Sequence, residues 1–282
     1  MGKIFASHWS DYELIDAGGG FKLERWGDIL TIRPDVNAYF KSANTIQDWR
    51  KIAHAEFKET SHTKGDWKFL KEIPKDWAIS YQKSTFILRF TPFKHVGLFP
   101  EQEFNWSWIN EHIHKNNKVL NLFAYTGASS IIARKKGAEV YHVDSIKTVN
   151  NWAKTNMESS GLDDIRWVTE DALKFATREA KRGNKYDLVL MDPPAFGFGA
   201  NNEKWKLDRD LKELLQDVIQ LLCKEQHFFV LNTYSPQLAM PELRSMLNQI
   251  SLFPAQYEAA QLGLKSLHGQ FLPLGNLIRF SK

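Results

Sequence analysis

The chain has 282 residues, enough for two domains at roughly 150 residues each, with 43% apolar and 25% charged residues and a formal net charge of +4. That balance excludes a disordered, collagen-like or coiled-coil chain, and no apolar run reaches the roughly 18 residues of a membrane span. The single cysteine, Cys223, excludes an intramolecular disulfide and a cysteine-based zinc cluster. With no apolar signal stretch at the N-terminus, the expected address is the cytoplasm.

Residues 1–100 alternate like strands and read as a small β-rich N-terminal domain. LIDAG runs into Gly18, Gly19 and Gly20, a turn signal. The triple glycine lacks the following helix and the Lys-Ser/Thr of a phosphate loop, so it reads as a hairpin turn. FKLERWGDILTIRP (21–34) follows as two strands around Gly27-Asp28, with Phe21, Leu23, Ile29, Leu30 and Ile32 as the apolar set. WAISYQKSTFILRFT (77–91) reads as a further hairpin turning near Lys83-Ser84. Between Arg50 and Lys94 there are ten basic and five acidic residues, with Trp67 and Trp77 among them and Trp49 directly before. Lysines could neutralise phosphates there and tryptophans stack on unpaired bases. Equally, the charges are a solvated face and the tryptophans pack the small domain.

From about residue 103 strand-like and helical runs alternate, which defines a second domain over 101–282. VLNLFAY (119–125) is a strand, 128–137 a helix stopped by Gly137, and EVYHVD (139–144) a strand. Residues 146–160 form a helix with Val149, Trp152, Ala153 and Met157 on one face. IRWVTED (165–171) is a strand, 172–182 a helix, YDLVLMD (186–192) a buried strand, and 211–223 a helix. HFFVLNTY (227–234) is a strand, 238–250 a helix, and strands near 256–261 and 276–281 close the chain. The pattern is α/β: a doubly wound, mostly parallel, seven-stranded Rossmann-like sheet. Such sheets bind ligands beyond the carboxyl ends of their strands.

Four strand ends carry candidate chemistry. Gly127 and the small residues after it let backbone approach a ligand at a helix start. The three closely spaced glycines of a dinucleotide site are missing, which disfavours a nicotinamide oxidoreductase. Asp144 is placed to accept from ribose hydroxyls, or to cap the next helix. Asp171 caps a helix or accepts from an adenine amine. Asp192-Pro193-Pro194 fixes an extended turn whose carboxylate and carbonyls can hold an amino group, with Phe196 free to stack on a planar substrate.

Together these motifs, NLFAYTG (121–127), VDSIKTVNNWAKTN (143–156), EDA (170–172) and DPPAFG (192–197), resemble the class I S-adenosylmethionine-dependent methyltransferases. The resemblance is nearest to the bacterial large-subunit ribosomal RNA (cytosine-5 or guanine-N7) methyltransferases. HVGLFPEQEFNW (95–106) is similar to the family segment that closes over the cofactor. The resemblance implies that Phe123, Ala124 and Gly127 face the methionine part, with Asn121, Tyr125 and Thr126 in the same cofactor motif. It implies Asp144 on the ribose, Ser145 on the adenosine side, and Asp171 and Ala172 at the adenine. Phe99 and Gln102 would meet the cofactor, and Asp192, Pro193 and Pro194 would line the transfer point.

One departure carries chemistry. The 5-methylcytosine enzymes use a cysteine after the fifth strand to activate ring carbon 5. Here that tripeptide is Thr233-Tyr234-Ser235, and Cys223 sits at the apolar end of a helix as a small core residue. The acceptor is therefore expected to be a base nitrogen, oriented by Asp192 with Tyr234 beside it. The expected partner is RNA, ribosomal RNA before others, with no metal and no membrane; a homodimer is left open. A small-molecule or protein substrate, or a binding module with little turnover, are the alternatives. His112 and His114, or His54 and His62, show no ligand spacing for a metal. His268, in a glycine-rich late loop, is a weaker candidate for reaching the site.

Overall fold

The hydrophobic period changes near residue 103, and the architecture changes with it. The computed structural model describes residues 2–5, 9–60, 64–199, 203–235 and 237–282. The chain divides into a smaller unit, Lys3–Phe104 with Leu262–Leu274, and a larger one, mainly Asn105–Gln261 with Gly275–Lys282. The sequence reading assigned Leu262–Leu274 to the second domain. That segment is the tip of a late hairpin, and its turn is tied to the smaller unit by Leu267 N–H donating to the Leu14 carbonyl.

An N-terminal strand, β1 (Gly2–Phe5), comes first. The smaller unit then builds a sheet in the order β2 (Tyr12–Gly18), β3 (Phe21–Trp26), β4 (Ile29–Pro34), β5 (Ala55–Glu59) and β6 (Gly65–Phe69). The triple glycine turns β2 into β3, and β3 and β4 turn at Gly27-Asp28. Helix α1 (Ile46–Ile52) buries Trp49 with Leu23, Ile32 and Ala53. Strands β7 (Asp76–Tyr81) and β8 (Ser84–Arg89) form the second hairpin.

The tryptophans of the basic stretch are packing residues. The indole N–H groups of Trp49, Trp67 and Trp77 donate to Asp16, the Thr91 carbonyl and the Trp26 carbonyl, all within this unit. Buried charge is matched internally. Arg33 grips Glu24 with two bonds of 2.6 and 2.7 Å, and the Tyr12 hydroxyl donates to the same carboxylate. Burial works to raise the Glu24 carboxyl, and Arg33 and Lys22 overcome it and hold it below the usual range.

The larger unit begins within helix α2 (Glu103–His112). Then come β9 (Lys118–Leu122), α3 (Ala128–Lys135), β10 (Glu139–Val143), α4 (Lys147–Ser159), β11 (Ile165–Val168) and α5 (Ala172–Arg182). After β12 (Leu188–Met191) the short strands β13 (Phe196–Phe198) and β14 (Lys204–Lys206) make a hairpin. The chain continues through α6 (Leu207–Gln220), β15 (Phe228–Thr233), α7 (Met240–Leu247), β16 (Glu258–Lys265) and β17 (Phe271–Ser281).

The main sheet runs β1-β16-β17-β15-β12-β9-β10-β11. From β15 to β11 all neighbours are parallel, and β17 is antiparallel to β15. This is the mostly parallel sheet read from sequence, with eight strands where seven were expected. The extra strand is β1, too short and too exposed to show a period. The chain steps outward from β9 through β10 to β11, then returns to the other side of β9 for β12. That reversal is the switch point at which open α/β sheets bind ligands. Phe175, Leu211, Leu214, Leu215 and Val218 of α5 and α6 pack on Leu120, Val189 and Phe229 of the sheet.

A buried polar line underlies the turn after β9. Asn121 donates to Ser130 Oγ at 2.9 Å, and that hydroxyl lies 3.0 Å from His142 Nδ1. With the hydroxyl donating to Nδ1, the neutral ring carries its proton on Nε2, the side Asn150 occupies. Nε2 of His142 and Oδ1 of Asn150 make no well-aligned bond, while the Asn150 amide donates to the Asp144 carbonyl and to Thr169 Oγ1. Burial pushes the His142 imidazole down to about 3, so the ring stays neutral.

His142→Leu is expected to strand Ser130 and Asn121 and to cost about 2 kcal/mol. In thermal denaturation that is about 4–8 °C for a unit of this size. In the unfolded chain the ring titrates near 6.5, so the native advantage of His142 is full above that pH. It is lost as pH falls from about 6.5 toward the folded value of about 3. The stability gap between the two proteins should therefore narrow on acidification. A gap independent of pH would contradict a buried neutral ring.

Candidate functional site

The carboxyl ends of four parallel strands stand level. Leu122 of β9 pairs with Val143 of β10 on one side and Met191 of β12 on the other, and Met191 pairs with Leu231 of β15. The turns that follow are therefore neighbours, and they hold most of the residues singled out from sequence.

The β9 turn is wound tightly. Phe123, Tyr125 and Gly127 have φ of 55°, 50° and 87°, all in the left-handed region. A Cβ on Gly127 would lie 3.0 Å from the Ala153 Cβ, so the turn sits directly on α4. Ala124 N–H donates to the Val143 carbonyl, and the Asn156 side chain donates to the Thr126 carbonyl. Ala124 and Thr126 are buried. The Asn121 side chain points into the polar line beneath the turn, so its role is to support the turn from below.

Asp144 locks the next turn to this one. One carboxylate oxygen accepts from Tyr125 N–H at 3.0 Å and the other from Ile146 N–H at 2.9 Å. Burial raises the Asp144 carboxyl above its ordinary value, against the pull of those two N–H groups. Each oxygen keeps a further lone pair, which is the acceptor set that two vicinal ribose hydroxyls, as donors, require. Ser145 beside it is half-buried. The residues present thus fit an adenosine-bearing ligand.

Asp171 is the N-cap of α5 and accepts from Lys174 N–H at 3.0 Å, the capping role weighed from sequence. Ala172 is buried in the core, which leaves only its backbone for a ligand. Asp192 follows β12 with its N–H toward the Leu122 carbonyl, Pro193 is buried, and Pro194 and Phe196 are exposed. Tyr234, after β15, lies against the backbone of β17. A Cβ on Gly275 would fall 2.6 Å from the Thr233 carbonyl oxygen and 2.8 Å from the Tyr234 ring, so glycine is what lets both approach the strand this closely.

Phe99 and Gln102 belong to the smaller unit. Phe99 precedes the 3-10 turn Pro100–Gln102 and packs against His95, and Gln102 is buried. His268 is in the exposed tip of the late hairpin, also part of the smaller unit. His54 Nδ1 accepts from Leu30 N–H, and His112 Nδ1 pairs with the Trp108 carbonyl. His62 lies outside the described residues. Cys223 lies at the opposite edge of the sheet, where its N–H donates to the Tyr186 carbonyl before β12 begins. Burial and Asp187 push its thiol up to about 11.

Sequence reasoning missed Trp205. It is buried, donates to the Pro194 carbonyl at 2.7 Å, and packs on Phe123 with ring centroids 4.9 Å apart. It also missed the role of Ser130, His142, Asn150 and Asn156. Polar residues on otherwise apolar buried segments were the available signal. Asn232 on β15, bonded by Asn105 of α2 at 2.8 Å, is another case.

Comparison with known proteins agrees with this geometry. A family model described as S-adenosylmethionine-dependent methyltransferase matches residues 43–234. The ribosomal RNA large subunit methyltransferase K/L of Shewanella frigidimarina is 34% identical over 141 residues, covering 49% of this chain and 19% of that protein. The ribosomal RNA large subunit methyltransferase K of Neisseria meningitidis is 29% identical over 157 residues, 53% of this chain and 43% of that one. The chain thus spans less than half the length of these curated relatives. A SAM-dependent methyltransferase from Agrobacterium tumefaciens has a solved structure with 34% identity and a TM-score of 0.92, covering 99% of this chain and 93% of that one. A methyltransferase structure complexed with SAH shares the fold at 17% identity and a TM-score of 0.78. With more than half of its length matched by the family model, the chain belongs to the S-adenosylmethionine-dependent methyltransferases.

Proposed function

We propose that this chain transfers a methyl group from S-adenosylmethionine to a nitrogen of a base in structured RNA, with ribosomal RNA the first substrate to test. The observation that carries the reading is the Asp192-Pro193-Pro194 turn. It stands level with the Asp144-locked turn, with Phe196 exposed beside it. The names of the relatives from Shewanella and Neisseria support an RNA substrate. Among the described residues no helix is long and apolar enough to cross a membrane, and we place the protein in the cytoplasm. We take the two units as two domains of the enzyme, dividing near residue 100.

S-adenosylmethionine, when bound, supplies a methyl made electrophilic by its sulfonium. Asp144 accepts the ribose hydroxyls, and the backbone of Phe123–Gly127 fits the methionine part. Asp171 and the Ala172 N–H meet the adenine edge. Asp192 and the carbonyls of the proline turn accept hydrogen bonds from the acceptor amine and fix its lone pair in line with the methyl. Phe196 stacks on the base, and Tyr234 closes the far side. A base nitrogen brings its own lone pair, so positioning supplies the catalysis and no covalent intermediate is needed.

Four outcomes are expected. In calorimetry Asp144→Ala should weaken S-adenosylmethionine binding by about 10–100-fold, the scale of hydrogen bonds to a charged group. The hydroxyls prefer the ionised carboxylate, whose pKa is raised in the free protein. Affinity should therefore fall as pH drops through the range above the ordinary value of about 4, and Asp144→Asn should remove that dependence. With tritiated cofactor and ribosomal RNA, Asp192→Ala should lose about 100-fold or more in kcat. Cys223→Ala should retain transfer. Label appearing on protein or small-molecule controls and not on RNA would overturn the substrate reading.

A further inference from the structure

The hairpin that follows Asp192-Pro193-Pro194 has two unlike faces. Strand β13 pairs antiparallel with β14, so Phe196 faces Lys206, Gly197 faces Trp205, and Phe198 faces Lys204. Cross-strand partners share a face of the ribbon. On one face Trp205 is buried, bonded to the Pro194 carbonyl and packed on Phe123. The missing side chain of Gly197 leaves that face to the indole. On the other face Phe196 and Phe198 are 55% and 51% exposed, with ring centroids 5.0 Å apart and nearly perpendicular planes.

Folding alone gives no reason for that outer face. The hairpin is already anchored through Trp205, and two exposed phenylalanines are an apolar patch that burial would favour removing. Lys204 and Lys206, both exposed, flank the rings. Lys206 is within 3.1 Å of Asp208, and Glu203 just before β14 pairs with Lys174 at 2.7 Å. Aromatic rings with ammonium groups directly across the ribbon are the components of an unpaired-nucleotide site: the ring stacks on a base, and the ammonium meets the phosphate beside it.

We propose that the outer face of the β13–β14 hairpin binds unpaired RNA next to the methylated base, with Phe198 stacking on a neighbouring base and Lys204 and Lys206 on its phosphates. This rests on the RNA reading above. It adds that the target lies in a single-stranded loop or bulge. A paired helix would keep its bases from the rings.

The test uses the full chain. Fluorescence anisotropy would measure binding of a short unpaired RNA and of a duplex of equal length over a range of salt, and calorimetry would check S-adenosylmethionine binding as a report of the intact fold. Phe198→Ala should weaken unpaired RNA about tenfold or more, and Phe198→Trp should restore it. Lys204→Gln and Lys206→Gln should each flatten the salt dependence of log K by about 0.7 to 1. Cofactor affinity should hold in all four. If the wild-type protein methylates RNA and these variants bind unpaired RNA as it does, the hairpin proposal fails and the RNA reading stands. Equal affinity of the wild type for duplex and unpaired RNA also overturns it. A wild-type protein that neither binds nor methylates RNA overturns both.

Discussion

One carboxylate holds the site in shape. Asp144 accepts an N–H from Tyr125 on the turn after β9 and another from Ile146 on its own turn. It thereby fastens two strand ends to each other. The turn it fastens is expensive in isolation, because Phe123 and Tyr125 adopt left-handed backbone that costs about 1–2 kcal/mol per ordinary residue. Such a conformation persists only where its surroundings over-determine it. Here they do: Asp144 holds Tyr125, Asn156 holds the Thr126 carbonyl, and Ala153 fills the space against Gly127. Beneath them bonds from Asn121 through Ser130 to His142 join β9, α3 and β10, and Asn150 of α4 donates to the Asp144 carbonyl. A ligand arriving at this turn meets backbone already in place.

The second brace is apolar. Trp205 reaches back from the hairpin to Phe123 and to the Pro194 carbonyl. It couples the turn after β9 to the proline turn after β12, the two sides of the switch point. Because the indole fixes one face of a very short ribbon, the other face must point outward. The outward orientation of positions 196 and 198 follows from the anchoring of Trp205, whereas their being phenylalanine does not. Tyr234 is set by a different device, a glycine on β17 that lets its ring lie on the backbone.

The strands and their ends were readable because apolar runs such as VLNLF and DLVLM stop at carboxylates or glycine, and because 172–182 has a clean helical period. The hairpin β13–β14 was not, since three-residue strands are too short to establish a period and Gly197 and Gly199 interrupt the apolar pattern. β1 failed for the same reason. Among site residues, Asp144 and the Asp192-Pro-Pro turn were placed by their position at strand ends. Asn121 was read as facing a ligand because position alone does not say which way a side chain points. The helical Ser130, Asn150 and Asn156, and His142 on its strand, were passed over because each carries one polar group into a packed interior. Only the three-dimensional partner shows that group to be satisfied. Ala172 shows the converse: its motif position is right, yet its side chain serves the core.

The position of the lone thiol bears on the chemistry. Cys223 bonds the backbone at Tyr186, before β12, whereas Asp192 follows that strand. The two edges are separated by roughly 20 Å of extended chain at about 3.3 Å per residue. The thiol is also held protonated by burial and by Asp187, the reverse of what a nucleophile needs. At the carboxyl edge the residues in the corresponding place are Thr233, Tyr234 and Ser235. Thr233 accepts from Asn276, and Ser235 accepts from the Gln237 N–H. Each is bound to a neighbour as an acceptor. An edge built from Asp192, two prolines and aromatic rings can orient an acceptor and exclude water. Among the described residues this edge carries no thiol, which supports the proposed acceptor, one that already presents a lone pair.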